Sequence, residues 1–424
     1  MRAVRAVGLP ALVVALMMPA ASPAGDGERF EWSTESAEAK QLLGQLQERI
    51  ESMQFGPENQ EIAEKIVAAD PAFAIGHYYL SATTPGPQGQ RAYERAHELA
   101  QKASEGERRF IEAMAHVVQN QGANFQDSIP PLEELAKKYS EERLIFVVLG
   151  QLYNGTGQGD EARAAFERAK QIGPHSPRVE AFLAGDELLQ GRYAEARSAY
   201  AAIEKKLPEG SVPFAIRFGT TFSHLYQGQV DEAIASLELY LEQYRAAGAD
   251  QQFPEVFIQN AIARINLENG RLEAAMNAYA AGYESVPGSN LPEDQKQTWL
   301  GRLHHGRCRV LAKMGRHEEA WKEADIVRGM IEEGGEPAEQ FWPAYHYLAG
   351  YVLSEAGEYA KAVEHLQKAN LQDPFQKLLL ARAHEKLGHA QAAEQAYGEI
   401  VDSRWTGIER ALAYPEAKQK LGSS

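Results

Sequence analysis

The sequence predicts an all-α protein, an α-solenoid of stacked antiparallel helix hairpins. The first observation is a glycine followed five residues later by an alanine and then, four residues on, usually by a large apolar residue, as in Gly157, Ala162 and Phe166. The second is that this pattern occurs seven times between residues 157 and 397. The third is that no long stretch alternates with the two-residue period of a strand. A recurring period of this size marks a repeat array.

Each repeat has the features of a helix hairpin. Ala162, Phe166 and Ala169 lie on one face of a helix, because residues four and seven positions apart are neighbours on its surface. Gly157 lies where the preceding helix must end, and glycine accepts the left-handed backbone common there. Pro174 follows the second helix, which it cannot extend. A hairpin of this kind buries its apolar face only against its neighbours, so the repeats must stack.

The array resembles the tetratricopeptide repeat family, whose period is 34 residues. The first two glycines, Gly157 and Gly191, are 34 residues apart, and the unit that starts near Arg143 carries the family's small, large and terminal proline positions. Later units are longer, up to 45 residues, so HEAT-like repeats are an alternative in the centre. The roughly 400 mature residues predict about nine hairpins. The resemblance implies a binding surface rather than a catalyst.

The chain divides into five segments. We expect a signal peptide (1–24), a disordered leader (25–36), divergent N-terminal helical hairpins (37–142), the repeat array (143–402) and a C-terminal capping helix with a tail (403–424). Residues 103–107 and 411–421 resemble segments of secreted or periplasmic bacterial repeat proteins of unassigned activity. That second resemblance implies no activity.

The N-terminus has the order of a secretory signal. Arg2 and Arg5 precede an apolar run over residues 6–18, and small residues follow up to Ala24, where we expect cleavage. An uncleaved anchor is the alternative, but the run is shorter than the roughly 20 residues of a spanning helix. We therefore expect a periplasmic or secreted bacterial protein with no membrane span after cleavage. The single Cys308 allows no internal disulfide.

Charge and motifs limit the possible functions. The net charge is −16, which argues against nucleic acid because its phosphates need a basic surface. No nucleophile, zinc or phosphate-loop motif is present, so we predict no enzyme, no catalytic residue and no cofactor. His304, His305 and Cys308 form the one dense group of soft ligands, but His304 and Cys308 alone cannot close a metal site. No metal is predicted.

The resemblance also implies a peptide groove. In this family the first helix of each hairpin lines the concave surface, and the second, fifth, ninth and twelfth residues of a unit face it. The corresponding groove residues are Phe218, Phe222, Asn260, Arg264, Arg302, His305, Arg309, Tyr347 and Tyr351. Because guanidinium groups bind carboxylates, the partner is expected to carry an acidic group. The alternative is that these arginines pair with glutamates on adjacent helices.

These observations predict a non-catalytic scaffold or assembly adaptor that holds a protein or peptide in its groove, outside the cytoplasm. Two alternatives remain open at this point. One is a metal-binding protein or enzyme with its site near His305 and Cys308. The other is a structural protein that self-associates through the array.

Overall fold

The computed structural model describes residues 27–84, 86–119, 125–173, 176–207, 212–246 and 255–422. The predicted signal peptide and Pro174 lie outside these ranges. Within them every regular element is helical, with two short 3-10 helices, Phe125–Ser128 and Glu336–Phe341, beside the α-helices. The α-helices are α1 (Ala37–Glu51), α2 (Pro57–Ala69), α3 (Ala74–Thr83), α4 (Gly86–Ala100), α5 (Glu105–Ala113), α6 (Ala115–Gln119), α7 (Ile129–Lys138), α8 (Arg143–Gly155), α9 (Gly159–Ile172), α10 (Pro177–Leu189), α11 (Tyr193–Glu204), α12 (Phe214–Leu225), α13 (Val230–Ala246), α14 (Val256–Glu268), α15 (Leu272–Glu284), α16 (Glu293–Lys313), α17 (His317–Gly334), α18 (Trp342–Glu355), α19 (Tyr359–Leu366), α20 (Pro374–Lys386), α21 (Ala390–Asp402) and α22 (Ile408–Gly422).

The helices pair in sequence order into hairpins. The described ranges contain ten of them, one more than estimated, with α5 paired to α7 across a short insertion that holds α6. First helices also contact the first helices of the next hairpins, as α14 contacts α16 and α18 contacts α20. The first helices therefore line the inner surface of the solenoid, which is the predicted fold. No α-helix in these ranges is long and apolar enough to cross a membrane.

The repeat positions have the roles that their spacing predicts. All seven repeat glycines lie between two helices, with φ between 71° and 82°, where an L-amino acid is strained. The alanines are buried; Ala162, for example, is 2% exposed. A second small residue lies on the first helix of a hairpin, and the large residue of the second helix packs against it. A Cβ added at Gly150 would lie 2.5 Å from the ring of Phe166, so only glycine fits there.

Residues 27–36 are packed, so the expectation of a disordered leader is wrong for them. Phe30 is 7% exposed and contacts the rings of Phe110 and Tyr139. The buried carboxylate of Glu107 accepts hydrogen bonds from the backbone N–H and the hydroxyl of Ser33, at 2.9 and 2.8 Å. The leader thus completes the core of the first hairpins. Its aromatic residues supply the apolar area that makes ordering favourable.

This packing also explains the segment 103–107. Ser104 caps α5 by accepting a hydrogen bond from the N–H of Glu107, and a Cβ at Gly106 would lie 2.5 Å from Phe30. The second oxygen of Glu107 accepts from the backbone N–H of Ile75, at 2.8 Å. Burial raises the pKa of this carboxyl, opposed by the hydrogen bonds from Ser33 and Ile75. The segment is therefore a structural junction between the leader, α3 and α5.

Residues 403–422, named here the return segment, fold back across the inner surface. Arg404 donates hydrogen bonds to Asp186 at 2.8 Å and to Asn154 at 3.2 Å, 218 and 250 residues away in sequence. Arg410 donates to the Tyr226 hydroxyl at 3.0 Å. Helix α22 contacts α12, α14 and α20 as well as its neighbour α21. The expected capping helix thus extends its contacts well beyond the last hairpin.

Candidate binding cavity on the inner surface

A cavity of about 610 Å³ lies on the inner surface, where α8–α12 face the return segment. Its walls are largely apolar and carry a group of aromatic side chains, named here the aromatic wall. They include Phe166, Phe182, Tyr200, Phe218, Phe222 and Tyr226. Phe166 and Tyr200 are the large residues of their repeats, and Phe182 stacks on Phe166 with ring centroids 4.6 Å apart. The repeat pattern therefore builds much of the cavity wall itself.

The turn between α1 and α2 forms one rim of the cavity, through Met53 and Phe55. Met53 has a φ of 58°, the left-handed conformation that glycine usually takes. Phe55 is 57% exposed, among the most exposed large apolar side chains in the described ranges. Phe55 therefore presents an exposed aromatic ring at the entrance of the cavity.

The acidic group of the cavity is fully occupied by partners. Asp186 is 6% exposed and accepts hydrogen bonds from Arg163 at 2.7 Å, Arg404 at 2.8 Å and Gln190 at 2.7 Å. Its negative charge is therefore compensated twice over. Because Arg404 belongs to the return segment, this carboxylate also fixes one wall of the cavity.

A third arginine of the cavity, Arg178, has no such partner. It lies in the first turn of α10, and its guanidinium carbon is 6.0 Å from the centroid of the Phe182 ring one turn later. Within the described ranges the structure gives it no hydrogen bond and no ion pair. Arg178 was not among the residues predicted from the repeat register. The signal for it is a stripe along α10 at helical spacing, which Phe182 and Asp186 continue.

The nine predicted groove residues do not lie on one continuous surface in the structure. Phe218 and Phe222 line the cavity, although Phe222 is only 8% exposed. The prediction that the others are open groove positions is wrong for Arg309, Tyr347 and Tyr351, which are buried. They lie where the first helices α14, α16, α18 and α20 converge and leave little space between them.

These buried residues surround the carboxylate of Glu268. Arg264 lies 3.3 Å and Arg309 3.9 Å from its oxygens, and the Tyr351 hydroxyl donates to it at 3.3 Å. The guanidinium carbon of Arg264 is also 4.3 Å from the Phe375 ring centroid, so α14 reaches α20 directly. Burial raises the pKa of Glu268, while Arg264 opposes that shift. Arg309 of α16 thus pairs with a glutamate of the adjacent first helix, as the alternative interpretation expected, whereas Arg264 pairs with it inside α14.

The remaining three predicted residues lie near this cluster. Asn260 donates to the carbonyl oxygen of Val256 within its own helix, at 3.0 Å. Arg302 is exposed, and its guanidinium carbon is 5.0 Å from the Trp299 ring centroid. Burial, together with nearby arginines, lowers the pKa of His305 to about 3, so its imidazole is neutral at pH 7. These side chains do not form a single open surface with Phe218.

The soft ligands around Cys308 do not converge. His304 contacts the carboxylate of Glu323 at 2.5 Å, while Cys308 is fully buried in the apolar core. In the ranges that the structure describes, no three histidine, cysteine or acidic side chains are placed to hold a metal ion. The alternative of a groove metal site near His305 therefore has no ligand set among these residues.

Comparison with known proteins agrees with this architecture. Two tetratricopeptide repeat family models match, one over residues 113–177 and the other over residues 343–375. The chain matches no curated protein in sequence. Among solved structures, a Rap protein in complex with competence and sporulation factor is 14% identical, with a TM-score of 0.51 over 92% of this chain and 99% of that chain.

Two further solved structures are less similar in shape. PilW, a type IV pilus biogenesis factor, is 17% identical with a TM-score of 0.39, over 53% of this chain and 93% of its own. The human IFIT1 dimer with PPP-AAAA is 14% identical with a TM-score of 0.43, over 85% of this chain and 87% of its own. Since the matched segments contain the repeat glycines and alanines Gly157, Ala162, Gly357 and Ala362, this chain carries tetratricopeptide repeats over residues 113–177 and 343–375 within a helical solenoid, and such repeats are typical of protein-interaction scaffolds.

Proposed function

We propose that this protein is a non-catalytic scaffold that holds a peptide segment of a protein partner in the inner cavity. The observation that carries the proposal is the aromatic wall that α8–α12 present on the inner surface. Aromatic rings offer a large contact area with few rotatable bonds, which lowers the entropy cost of binding. The cavity volume of about 610 Å³ falls within the usual range for ligand sites.

We further propose that the protein acts outside the cytoplasm. The support is the order of charged, apolar and small residues that ends at Ala24. Mass spectrometry of protein recovered from the periplasm or medium of its bacterial host should give an N-terminus at Gly25. An intact N-terminus in the cytoplasmic fraction would contradict this part of the proposal. The net charge of −16 supports a protein rather than a nucleic acid as the partner.

A crosslinking experiment tests the site. Phe55→benzoylphenylalanine places a photoreactive ring of similar shape at the cavity rim, where the native residue is 57% exposed. Leu239→benzoylphenylalanine, on an exposed position of α13 that does not line the cavity, is the matched control. Irradiated cells should yield one adduct from position 55 and none of the same mass from position 239.

A third variant checks that the cavity itself is used. Ala215 is exposed and lines the cavity, so Ala215→Trp should fill part of it without disturbing the core. We expect this substitution to abolish the adduct formed from position 55. An adduct that survives in the filled cavity, or that forms equally from position 239, would refute the cavity as the binding site.

A further inference from the structure

We propose that the partner segment carries an acidic side chain that pairs with Arg178, next to apolar side chains that occupy the aromatic wall. This inference rests on the proposed function and names the chemistry of its partner. It uses a residue that the fold does not need for its own charge balance. It also gives the cavity a polarity, with a basic end at the start of α10 and an apolar body behind it.

Arg178 differs from the other cationic groups of the cavity. Arg163 pairs with Asp186 at 2.7 Å and with Glu187 at 2.5 Å, and Arg404 pairs with Asp186 at 2.8 Å. In the part of the chain that the structure describes, Arg178 has no carboxylate partner; its guanidinium lies 6.0 Å from the Phe182 ring and opposes the rise that burial causes in the pKa of Tyr78. Asp186 is already shared by two guanidinium groups, so it leaves no compensation for a third. The cavity therefore carries an excess positive charge within a protein of net charge −16.

The complement of such a group is a carboxylate. A guanidinium offers paired N–H donors whose spacing matches the two oxygens of a carboxylate, and charge-assisted bonds of this kind are stronger than neutral ones. Partial exclusion of water by the aromatic wall strengthens the attraction further. The ring of Phe182 holds the guanidinium from one side through a cation–π contact, so fewer rotamers are lost on binding.

The aromatic wall determines the rest of the partner segment. Phe182 and Phe218 are its partly exposed rings; Phe182 stacks on the buried Phe166 with centroids 4.6 Å apart, and Phe218 lies 5.9 Å from the buried Phe222. Such a surface favours leucine, isoleucine, methionine or aromatic side chains. We therefore expect a peptide in which aspartate or glutamate stands close to several large apolar residues.

Selection from a random peptide display library tests the inference, with the full mature protein as bait. Wild type should enrich peptides that combine an acidic residue with large apolar ones. Arg178→Gln should enrich apolar peptides without the acidic residue. Arg91→Gln is the matched control, because Arg91 is an exposed arginine of α4 outside the cavity, and it should behave as wild type.

The affinity of one enriched peptide then measures the pairing. Its Kd should weaken about tenfold or more when its acidic residue is replaced by the amide, or when Arg178 becomes glutamine. The two changes together should weaken binding little more than either change alone. Arg178→Lys should bind the peptide more tightly than Arg178→Gln and less tightly than wild type. Equal thermal midpoints of wild type and Arg178→Gln would show that the loss does not come from unfolding.

The outcomes separate the two proposals. Enriched peptides that lack an acidic residue but lose binding in Ala215→Trp would overturn the pairing with Arg178 and leave the scaffold cavity intact. Peptides whose binding is unchanged in Ala215→Trp, or no enrichment at all, would overturn both. An acidic preference that persists in Arg178→Gln would also overturn the inference.

Discussion

The packing of Tyr200 between two glycines allows a sharp test of the repeat geometry. A Cβ added at Gly219 of α12 would lie 2.2 Å from the Cζ atom of Tyr200, whose side chain is 4% exposed. Alanine gains about 1 kcal/mol over glycine inside a helix. Forcing an extra methyl group into a filled core costs about 1–3 kcal/mol, and so close an approach lies toward the upper end of that range. Gly219→Ala should therefore destabilise the protein by about 1–2 kcal/mol.

Gly185 provides the matched control, because it faces the same ring from α10. A Cβ there would approach Tyr200 no closer than 3.7 Å from its hydroxyl oxygen, which is an ordinary contact. The helix preference of alanine then acts almost alone, so Gly185→Ala should stabilise the protein by up to about 1 kcal/mol. The two substitutions are chemically identical and should shift stability in opposite directions.

Urea unfolding followed by far-UV circular dichroism measures the difference, as the shift of the transition midpoint relative to wild type. Because repeat arrays can unfold in stages, hydrogen exchange in α10–α12 should show the same signs locally. If Gly219→Ala raises the midpoint as much as Gly185→Ala does, then Tyr200 does not fill the space beside α12. The stacking of hairpins described above would then be wrong at that interface.

Four other substitutions or reactions test separate features. Ala162→Asp should lower stability by several kcal/mol, since it buries an unpaired charge; an unchanged thermal midpoint would contradict the repeat register. Glu268→Gln should cost about 3–5 kcal/mol in urea unfolding, because Arg264 then loses its buried counter-charge, and a neutral effect would refute the cluster. The folded pKa of His305 lies below its ordinary 6.5, so wild type should lose stability as pH falls from 6.5 towards 3. In His305→Gln the thermal midpoint should fall less between pH 6.5 and 5 than in wild type; the same fall in both proteins would contradict a lowered pKa of His305. Burial raises the pKa of the Cys308 thiol, so it should react with a thiol reagent only after denaturant is added, and rapid labelling of folded protein would contradict its burial.

The sequence predicts those structural features that the geometry of a few neighbouring residues determines. A helix that must reverse into its partner needs a left-handed residue, so the seven glycines mark the hairpin turns. Two helices that cross closely need a small residue, so Ala162 and its equivalents mark the buried face. Each of these requirements is met within a few residues of chain. The fold class follows from their repetition.

The groove residues depend on a property that is not local. Whether a first-helix residue is open or buried depends on the superhelical curvature, which is the sum of small rotations between successive hairpins. The register places Arg309 and Tyr351 on the inner side of their helices. Contacts among α14, α16 and α18 then bury that side around Glu268, whereas Arg178 of α10 lines the cavity. Sequence spacing carries no direct measure of this rotation.

The packing of the leader and the long-range contacts of the return segment were not predicted, for a related reason. Residues 27–36 form no regular helix, and their order depends on distant partners such as Glu107. Arg404 pairs with Asp186, 218 residues away in sequence, and no local sequence pattern predicts this pair. In hindsight the aromatic residues Phe30 and Trp32 in a short polar stretch are a signal, because exposed aromatics are costly in a flexible tail.

The return segment changes how the molecule should respond to force. A solenoid whose units touch only their neighbours lengthens under tension like a spring. Here Arg404 and Arg410 connect the end of the chain to hairpins in the middle of the sequence, so they form cross-links within the coil. Tension along the superhelix would therefore act on the hydrogen bonds of these two arginines as well as on the hairpin interfaces. The last residues of the chain thereby add resistance to the separation of hairpins that lie near the middle of the sequence.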